Sequence, residues 1–387
     1  MKNTIKLSLV AAVAVAGLTT NATAGSLEDA IKDTTISGKI LVGYNYAETK
    51  SAAGVKANTN QTEYDIDLTL NTKVNDTITA TVGFQADNEI NENSSTDAGT
   101  KGNNITLTKL SFTAKTDVAT VIVGKQKQPT PFYDDERGDG VVALVPAGPV
   151  TIAAGHFTGL VGGDLTESNR DISALAVIGS VGPVNASVWY AQLSGASMGT
   201  TEDGASAYTV NLAGTFGPVN VDLTHSAAEV DDENGGTTFE KETLTKLIVS
   251  AKVADVNLVA GYGMTNDVDG DDRNHGVDLS NDDDAKTNFR LDQLVLDDHN
   301  DADAILLGAS MTFGQTTIGA NYLMVGIDAT TTAAKKDATE LDLTVAYAMS
   351  KNFSITGLYS TSSIDDNTVG TQDVEEDRME LSLNYKF

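Results

Sequence analysis

The feature that most limits what this chain can become is a two-residue rhythm of apolar side chains, repeated along its length. In the last segment Met379, Leu381, Leu383, Tyr385 and Phe387 take every second position, with Glu380, Ser382, Asn384 and Lys386 between them. Side chains of an extended strand point alternately to opposite faces, so this segment is oily on one face and polar on the other. Ile36, Ile40, Val42, Tyr44 and Tyr46 are likewise opposed by Ser37, Lys39 and Asn45. Tyr64, Ile66, Leu68 and Leu70 are opposed by Asp65, Asp67, Thr69 and Asn71. Eighteen such segments can be counted, starting near residues 35, 62, 77, 104, 118, 140, 150, 171, 184, 206, 219, 242, 256, 303, 316, 339, 353 and 376. Short turns such as Asn75-Asp76 and Gly217-Pro218 alternate with longer polar loops.

Alternating segments of about ten residues, even in number, with short turns at one end and long loops at the other, predict a transmembrane antiparallel β-barrel. The expected fold is all-β with about 18 strands; 16 is the alternative if a hairpin is miscounted. The alternation slips phase in the segments near 104, 118 and 140. Tyr and Phe gather at segment ends, as in the aromatic girdles of such barrels. Cross-strand aromatics of a soluble β protein would look similar. The chain has no cysteine, so an exported protein of this kind must be held by packing and backbone hydrogen bonds, which a closed barrel supplies.

Residues 1–24 read as a secretory signal peptide: Lys2 and Lys6, an apolar run from Leu7 to Leu18, then Ala22-Thr23-Ala24 as a small-residue cleavage site. The remainder, 25–387, reads as one barrel domain. A net charge of −29 makes nucleic acid an improbable partner and cations a favoured one. Lys39, Asp65, Asp67, Asp222, Asp342, Lys246 and Lys252 fall opposite the apolar stripes. They are expected to line a wet lumen, because a Lys facing lipid at mid-membrane costs roughly 2–4 kcal/mol. About 18 strands enclose more space than side chains can fill. No enzyme motif is present. His156, His225, His275 and His299 lie on separate segments, and no catalytic constellation surrounds them.

The stretch Ser26-Leu27-Glu28-Asp29-Ala30-Ile31-Lys32-Asp33 followed by Ile36-Ser37-Gly38, the run Val123-Gly124-Lys125-Gln126, and the closing Leu383-Asn384-Tyr385-Lys386-Phe387 resemble the major outer-membrane porin family of campylobacters and their relatives. The resemblance implies a homotrimer of barrels in outer-membrane lipid, each with its own pore. It also implies that the loop after the fifth strand, 127–141 here, folds inward and narrows that pore. The Pro-Glu-Phe-Gly-Gly loop motif of general porins is absent, and no arginine ladder is evident.

If that loop enters the lumen, Asp134, Asp135, Glu136 and Asp139 would form an acidic eyelet, with Lys125, Lys127 and Arg137 as basic counterweights. Acidic rings in a narrow pore favour cations. The longest loop, about 266–302, carries thirteen aspartates from Asp267 through Asp303. It reads as a solvated surface loop or acidic vestibule. Asp267, Asp269 and Asp271 have a calcium-loop flavour, but Asp278 stands where an EF-hand needs Glu and no helices flank it. No cofactor is expected beyond loosely held divalent cations such as Ca2+. The functional expectation is passive diffusion of small cations and hydrophilic solutes. The alternatives are a structural or adhesion barrel whose acidic loops bind partners, and a soluble secreted β protein.

Overall fold

The computed structural model describes residues 32–91, 105–133, 137–161, 171–194, 204–231, 241–267, 285–297, 299–328, 336–365 and 373–387. Residues 1–31, which include the expected leader, lie outside them. Eighteen antiparallel strands form a single closed sheet. They are β1 (Thr34–Lys50), β2 (Lys56–Lys73), β3 (Ile78–Asn91), β4 (Ile105–Lys115), β5 (Thr120–Lys127), β6 (Arg137–Ala147), β7 (Val150–Val161), β8 (Asp171–Val181) and β9 (Val184–Ser194). The second half comprises β10 (Gly204–Phe216), β11 (Val219–Asp231), β12 (Glu242–Val253), β13 (Val256–Thr265), β14 (Ala302–Phe313), β15 (Thr316–Ile327), β16 (Lys336–Ala348), β17 (Phe353–Asp365) and β18 (Val374–Lys386). The count of eighteen therefore holds. The largest discrepancy in starting position is β2, which begins at Lys56 and not near 62.

Each strand pairs with its neighbours in sequence, and β18 pairs with β1 from Lys39↔Lys386 to Lys50↔Glu375. Closure leaves no open sheet edge, the condition for a sheet to cross lipid. Phe387 completes the seam: its N–H donates to the Gly38 carbonyl at 3.1 Å, and the Gly38 N–H donates back at 2.9 Å. A Cβ on Gly38 would lie 2.6 Å from the Phe387 ring, so a side chain there would push the ring off the seam.

The short-turn end owes its tightness to four glycines. Gly148, Gly182, Gly217 and Gly314 open two-residue turns with φ of 64°, 59°, 64° and 61°. Positive φ at the first turn residue alone is the type II′ pattern, whose twist matches that of the flanking strands. Proline follows three of them (Pro149, Pro183, Pro218) and suits the negative φ of the second position.

The phase slips seen in the sequence are bulges. Gly83 pairs with Lys109 and Phe84 with Leu107, so Thr108 is an extra residue on β4. Ile105 and Leu107 are exposed below it in sequence, and Leu110 and Phe112 above it: one inserted residue swaps the parity while keeping the apolar face outward. A second irregularity lies between Arg137 and Asp139, opposite β7.

Large apolar side chains such as Leu175, Tyr190, Leu307, Val345 and Met379 stand exposed on the outer face. Such a surface is far larger than a water-soluble monomer tolerates and fits a lipid environment. Inward side chains are small, polar or covered by loops. Among the described residues no helix is long and apolar enough to cross a membrane; the strands do so.

Candidate pore constriction

Two loops fold from the long-loop end into the bore. The first joins β5 to β6. Its described part, 128–133, ends in Phe132 and Tyr133, 0% and 1% exposed. They pack with Val142, Phe157, Ile172, Ala191, Leu193 and Ala207 on the inner wall of β6–β10. Phe157 has room because Gly138 and Gly140 face it; a Cβ on Gly140 would lie 2.7 Å from its ring. Two prolines and two aromatics in six residues thus make a stiff, oily anchor.

The second inward loop was expected to be a solvated surface loop, and its described part, 285–297, corrects that reading. Phe289, Leu294 and Leu296 are buried against Leu244, Ala302, Ala304, Leu323, Val325 and Ala338. The sequence is acidic enough to read as solvated, yet it carries the apolar run Leu294-Val295-Leu296. That run is the signal for burial, because solvated acidic loops gain nothing from three consecutive apolar residues. Glu340, on the inner face of β16 and 1% exposed, accepts the backbone N–H groups of Asp292 (2.9 Å), Gln293 (2.8 Å) and Leu294 (2.7 Å). Ser360 Oγ donates to the same carboxylate at 3.0 Å. Arg378 Nη1 pairs with the Asp292 carboxylate at 3.1 Å, and Gln293 Nε2 donates to Ser360 Oγ at 2.7 Å. Lys246, on β12, donates to the Lys286 and Asn288 carbonyls. Burial raises the Asp292 pKa, with Arg378 opposing the rise. Near the loop's exit, burial lowers the His299 pKa, and Lys336 adds to that.

The expected wall residues lie as follows. Lys39 Nζ pairs with Asp65 Oδ2 at 3.1 Å, and Lys39 is the register partner of Asp67. Asp222 accepts from Asn211 Nδ2 at 2.7 Å. Asp342 is buried two positions from Glu340. Of the two lysines also expected on this face, Lys246 holds the second loop and Lys252 sits exposed near the short-turn end.

The eyelet is only partly described. Asp134, Asp135 and Glu136 lie outside the described residues. The loop itself is shorter than 127–141, because Lys127 closes β5 and Arg137 opens β6. Asp139 leaves the eyelet: the Cβ directions of its neighbours Gly138 and Gly140 both run into Phe157 inside the barrel, so Asp139 points outward. Lys125 is the register partner of Asp139 and of the exposed Leu110, and shares that outer face. Lys127 and Arg137 are register partners of each other at the top of the wall. Of the calcium-loop candidates, Asp269 and Asp271 lie outside the described residues, as does His275. Among the described residues no group of three or more His, Cys, Asp or Glu could hold a metal ion.

Among the described residues the two loops cover β6–β10 and the arc from β12 to β17 and reach β18 through Arg378, and they leave uncovered the inner face of β1, β2, β3 and β4 and the rest of β18. The inward charges of this arc include Glu63, Asp65, Asp67, Glu376 and Glu380 with Lys39, Lys109 and Arg378, and the same parity turns Lys73, Lys115 and Lys386 inward at the short-turn ends of β2, β4 and β18. Lys109 Nζ donates to Thr69 Oγ1 across this arc at 3.3 Å.

A closed barrel with an apolar outer belt, a polar bore and loops narrowing that bore defines a membrane-spanning channel of the outer-membrane type. The sequence profile of the Gram-negative porin family matches residues 8–367, and the chain belongs to that family. The structure is similar to that of OccK3 (OpdO) of Pseudomonas aeruginosa, with a TM-score of 0.69 and 15% identity over 93% of this chain and 98% of that one. It is similar to P. aeruginosa OpdL (0.71, 11%, 92% and 99%) and to a BenF-like porin from Pseudomonas fluorescens Pf-5 (0.70, 12%, 92% and 99%). At these identities the likeness concerns the fold. Compared with curated protein sequences, the chain has no significant match.

Proposed function

We propose that this porin is a cation-preferring channel for passive diffusion of ions and small hydrophilic solutes. It works as a homotrimer and uses no catalytic residue or bound cofactor. The observation that supports it is the acid excess on the uncovered arc away from the short turns: Glu63, Asp65, Asp67, Glu376 and Glu380 share that part of the wall with Lys39, Lys109 and Arg378, while Lys73, Lys115 and Lys386 stand at the short-turn ends. Fixed acids in a narrow aqueous passage raise the local cation concentration and repel anions. Asp134, Asp135 and Glu136 directly follow the buried Tyr133 in sequence and add to this acidity in the same reading. The narrower kinship with the campylobacter major porins rests on the motifs quoted above and carries the trimer with it.

The test is the reversal potential across a planar bilayer in a salt gradient. Wild-type protein should give a cation/anion permeability ratio well above one. Combining Glu63→Gln, Asp65→Asn and Asp67→Asn should bring it toward one. An unchanged ratio overturns the assignment of selectivity to this arc. Asp134→Asn, Asp135→Asn and Glu136→Gln, made together, measure the share of the loop acids. Well-folded protein that passes no current would favour the adhesion-barrel alternative.

A further inference from the structure

The outer face is not uniform around the barrel. Every strand of β1–β4, β9, β10 and β13–β18 places at least one Tyr or Phe outward, among them Tyr44, Phe84, Phe112, Tyr190, Phe216, Tyr322 and Tyr385. The strands β5–β8 place none: the only aromatic among their residues is Phe157, and it points inward. Interfacial aromatics anchor a wall to lipid at headgroup level; β11 and β12 also lack them, and β5–β8 is the longer run.

The apolar belt is also cut short on the same wall. On β18 the outward row runs Phe387, Tyr385, Leu383, Leu381, Met379 before Asp377. On β5 the same parity gives Ala119 and Val121, which are buried with Ala143 of β6, then the exposed Val123 and then Lys125. A two-residue step climbs roughly 5 Å along the membrane normal for a strand tilted by about 40°. Lys125 therefore sits roughly 15 Å above the turn end, inside an apolar band about 25 Å tall. Beside it on β6 is Asp139, whose partner on β7 is Thr158, itself paired with Asp171 of β8; His156 and Ser173 pair one step nearer the short-turn end. β5 has eight residues, fewer than the ~9–11 a strand needs to cross a bilayer core.

His156 and Ser173 satisfy each other at 3.0 Å. Lys125 and Asp139 are register neighbours, but among the described residues no ion pair or side-chain hydrogen bond engages either charged group. A lone Lys and a lone Asp at this depth are costly against lipid tails. The acid also makes an anionic headgroup a poor cover, because it would be repelled.

We propose that the outer wall of β5–β8 is the face on which a second copy of this chain docks, with Lys125 and Asp139 paired across the contact. Both signs lie side by side on one face, so the surface complements another copy of itself. The inference rests on the oligomeric reading given above and adds the wall that makes the contact. The other cover for this wall is lipid.

The experiment measures the mass of the full-length protein in mild detergent and in lipid nanodiscs, with single-channel conductance recorded on the same preparations. Wild type should be an oligomer. Lys125→Glu and Asp139→Lys should each raise the monomer fraction at least tenfold, and combining the two should restore the oligomer. Heat-modifiable migration and unchanged conductance per barrel confirm folding of each variant. Oligomers indifferent to all three changes would overturn the proposal. So would a wild-type monomer that conducts normally, a result that leaves the channel reading intact.

Discussion

The described part of the β5–β6 loop meets the wall through two aromatic rings, whereas the β13–β14 loop is held by a polar set centred on one carboxylate, with Lys246, Ser360 and Arg378 around it. Phe132 and Tyr133 bury apolar area against Ala, Val and Ile side chains. That attraction has no preferred direction and is indifferent to salt and pH. Glu340 holds Asp292, Gln293 and Leu294 through three N–H donors at fixed positions, and Phe289, Leu294 and Leu296 fill the space around it. A carboxylate that gathers successive backbone donors sets the register of a loop to one residue; an oily contact does not. The first loop is thus held in place, and the second is held in one arrangement.

The sharpest way to break this contrast is Glu340→Ala. It strands the buried N–H of Leu294 and the half-buried ones of Asp292 and Gln293 and should cost about 3–5 kcal/mol locally. Amide hydrogen exchange at Asp292, Gln293 and Leu294 should accelerate by about two orders of magnitude or more. Conductance should rise while the β5–β6 loop keeps its protection. Next comes Phe132→Ala, costing about 3 kcal/mol and loosening 128–133 alone. The two changes share no partner, so conductance and exchange effects in the double variant should add. Gly263→Val is a smaller perturbation. A Cβ there lies 2.7 Å from Leu296 and 2.9 Å from Phe289, and the overpacking should cost about 1–3 kcal/mol, visible as a drop in the thermal midpoint of the heat-modifiable shift.

The weakest effect expected is that of acid. His299 binds its proton less readily in the fold than in the unfolded chain. Its contribution is complete above about pH 6.5 and declines as pH falls below that value. Asp292, whose pKa is raised, runs the other way and gains on protonation further down the scale. Between pH 7 and 5.5 the β13–β14 loop should therefore lose a little protection, measured against the intrinsic exchange rate at each pH, and the protection of the described β5–β6 residues should not change. Equal acid sensitivity of both loops would remove the distinction.

Much of this could be read from residues one at a time. The strands from Val150 onward start within a few residues of where alternation begins, because one face meets lipid and the other water along their whole length. The inner positions of Lys39, Asp65 and Asp67 followed from the same parity. Asp139 shows where parity fails: with an irregularity beside it and glycines on both sides, the two-residue rule had no oily neighbour to count from. Glu340 was passed over because a lone acid on a polar face looks like any other, and its partners lie 46 to 48 residues away in sequence.

The order of side chains alone determined that the chain makes a barrel, how many strands close it and which face turns outward. These are properties of neighbours two apart, set by solvent on either side of a single layer. Which loops enter the bore, and what fastens them, was decided only when the sheet closed. Closure brings β16 and the segment before β14 within hydrogen-bonding distance, and no local pattern encodes a contact between groups that meet only across the bore.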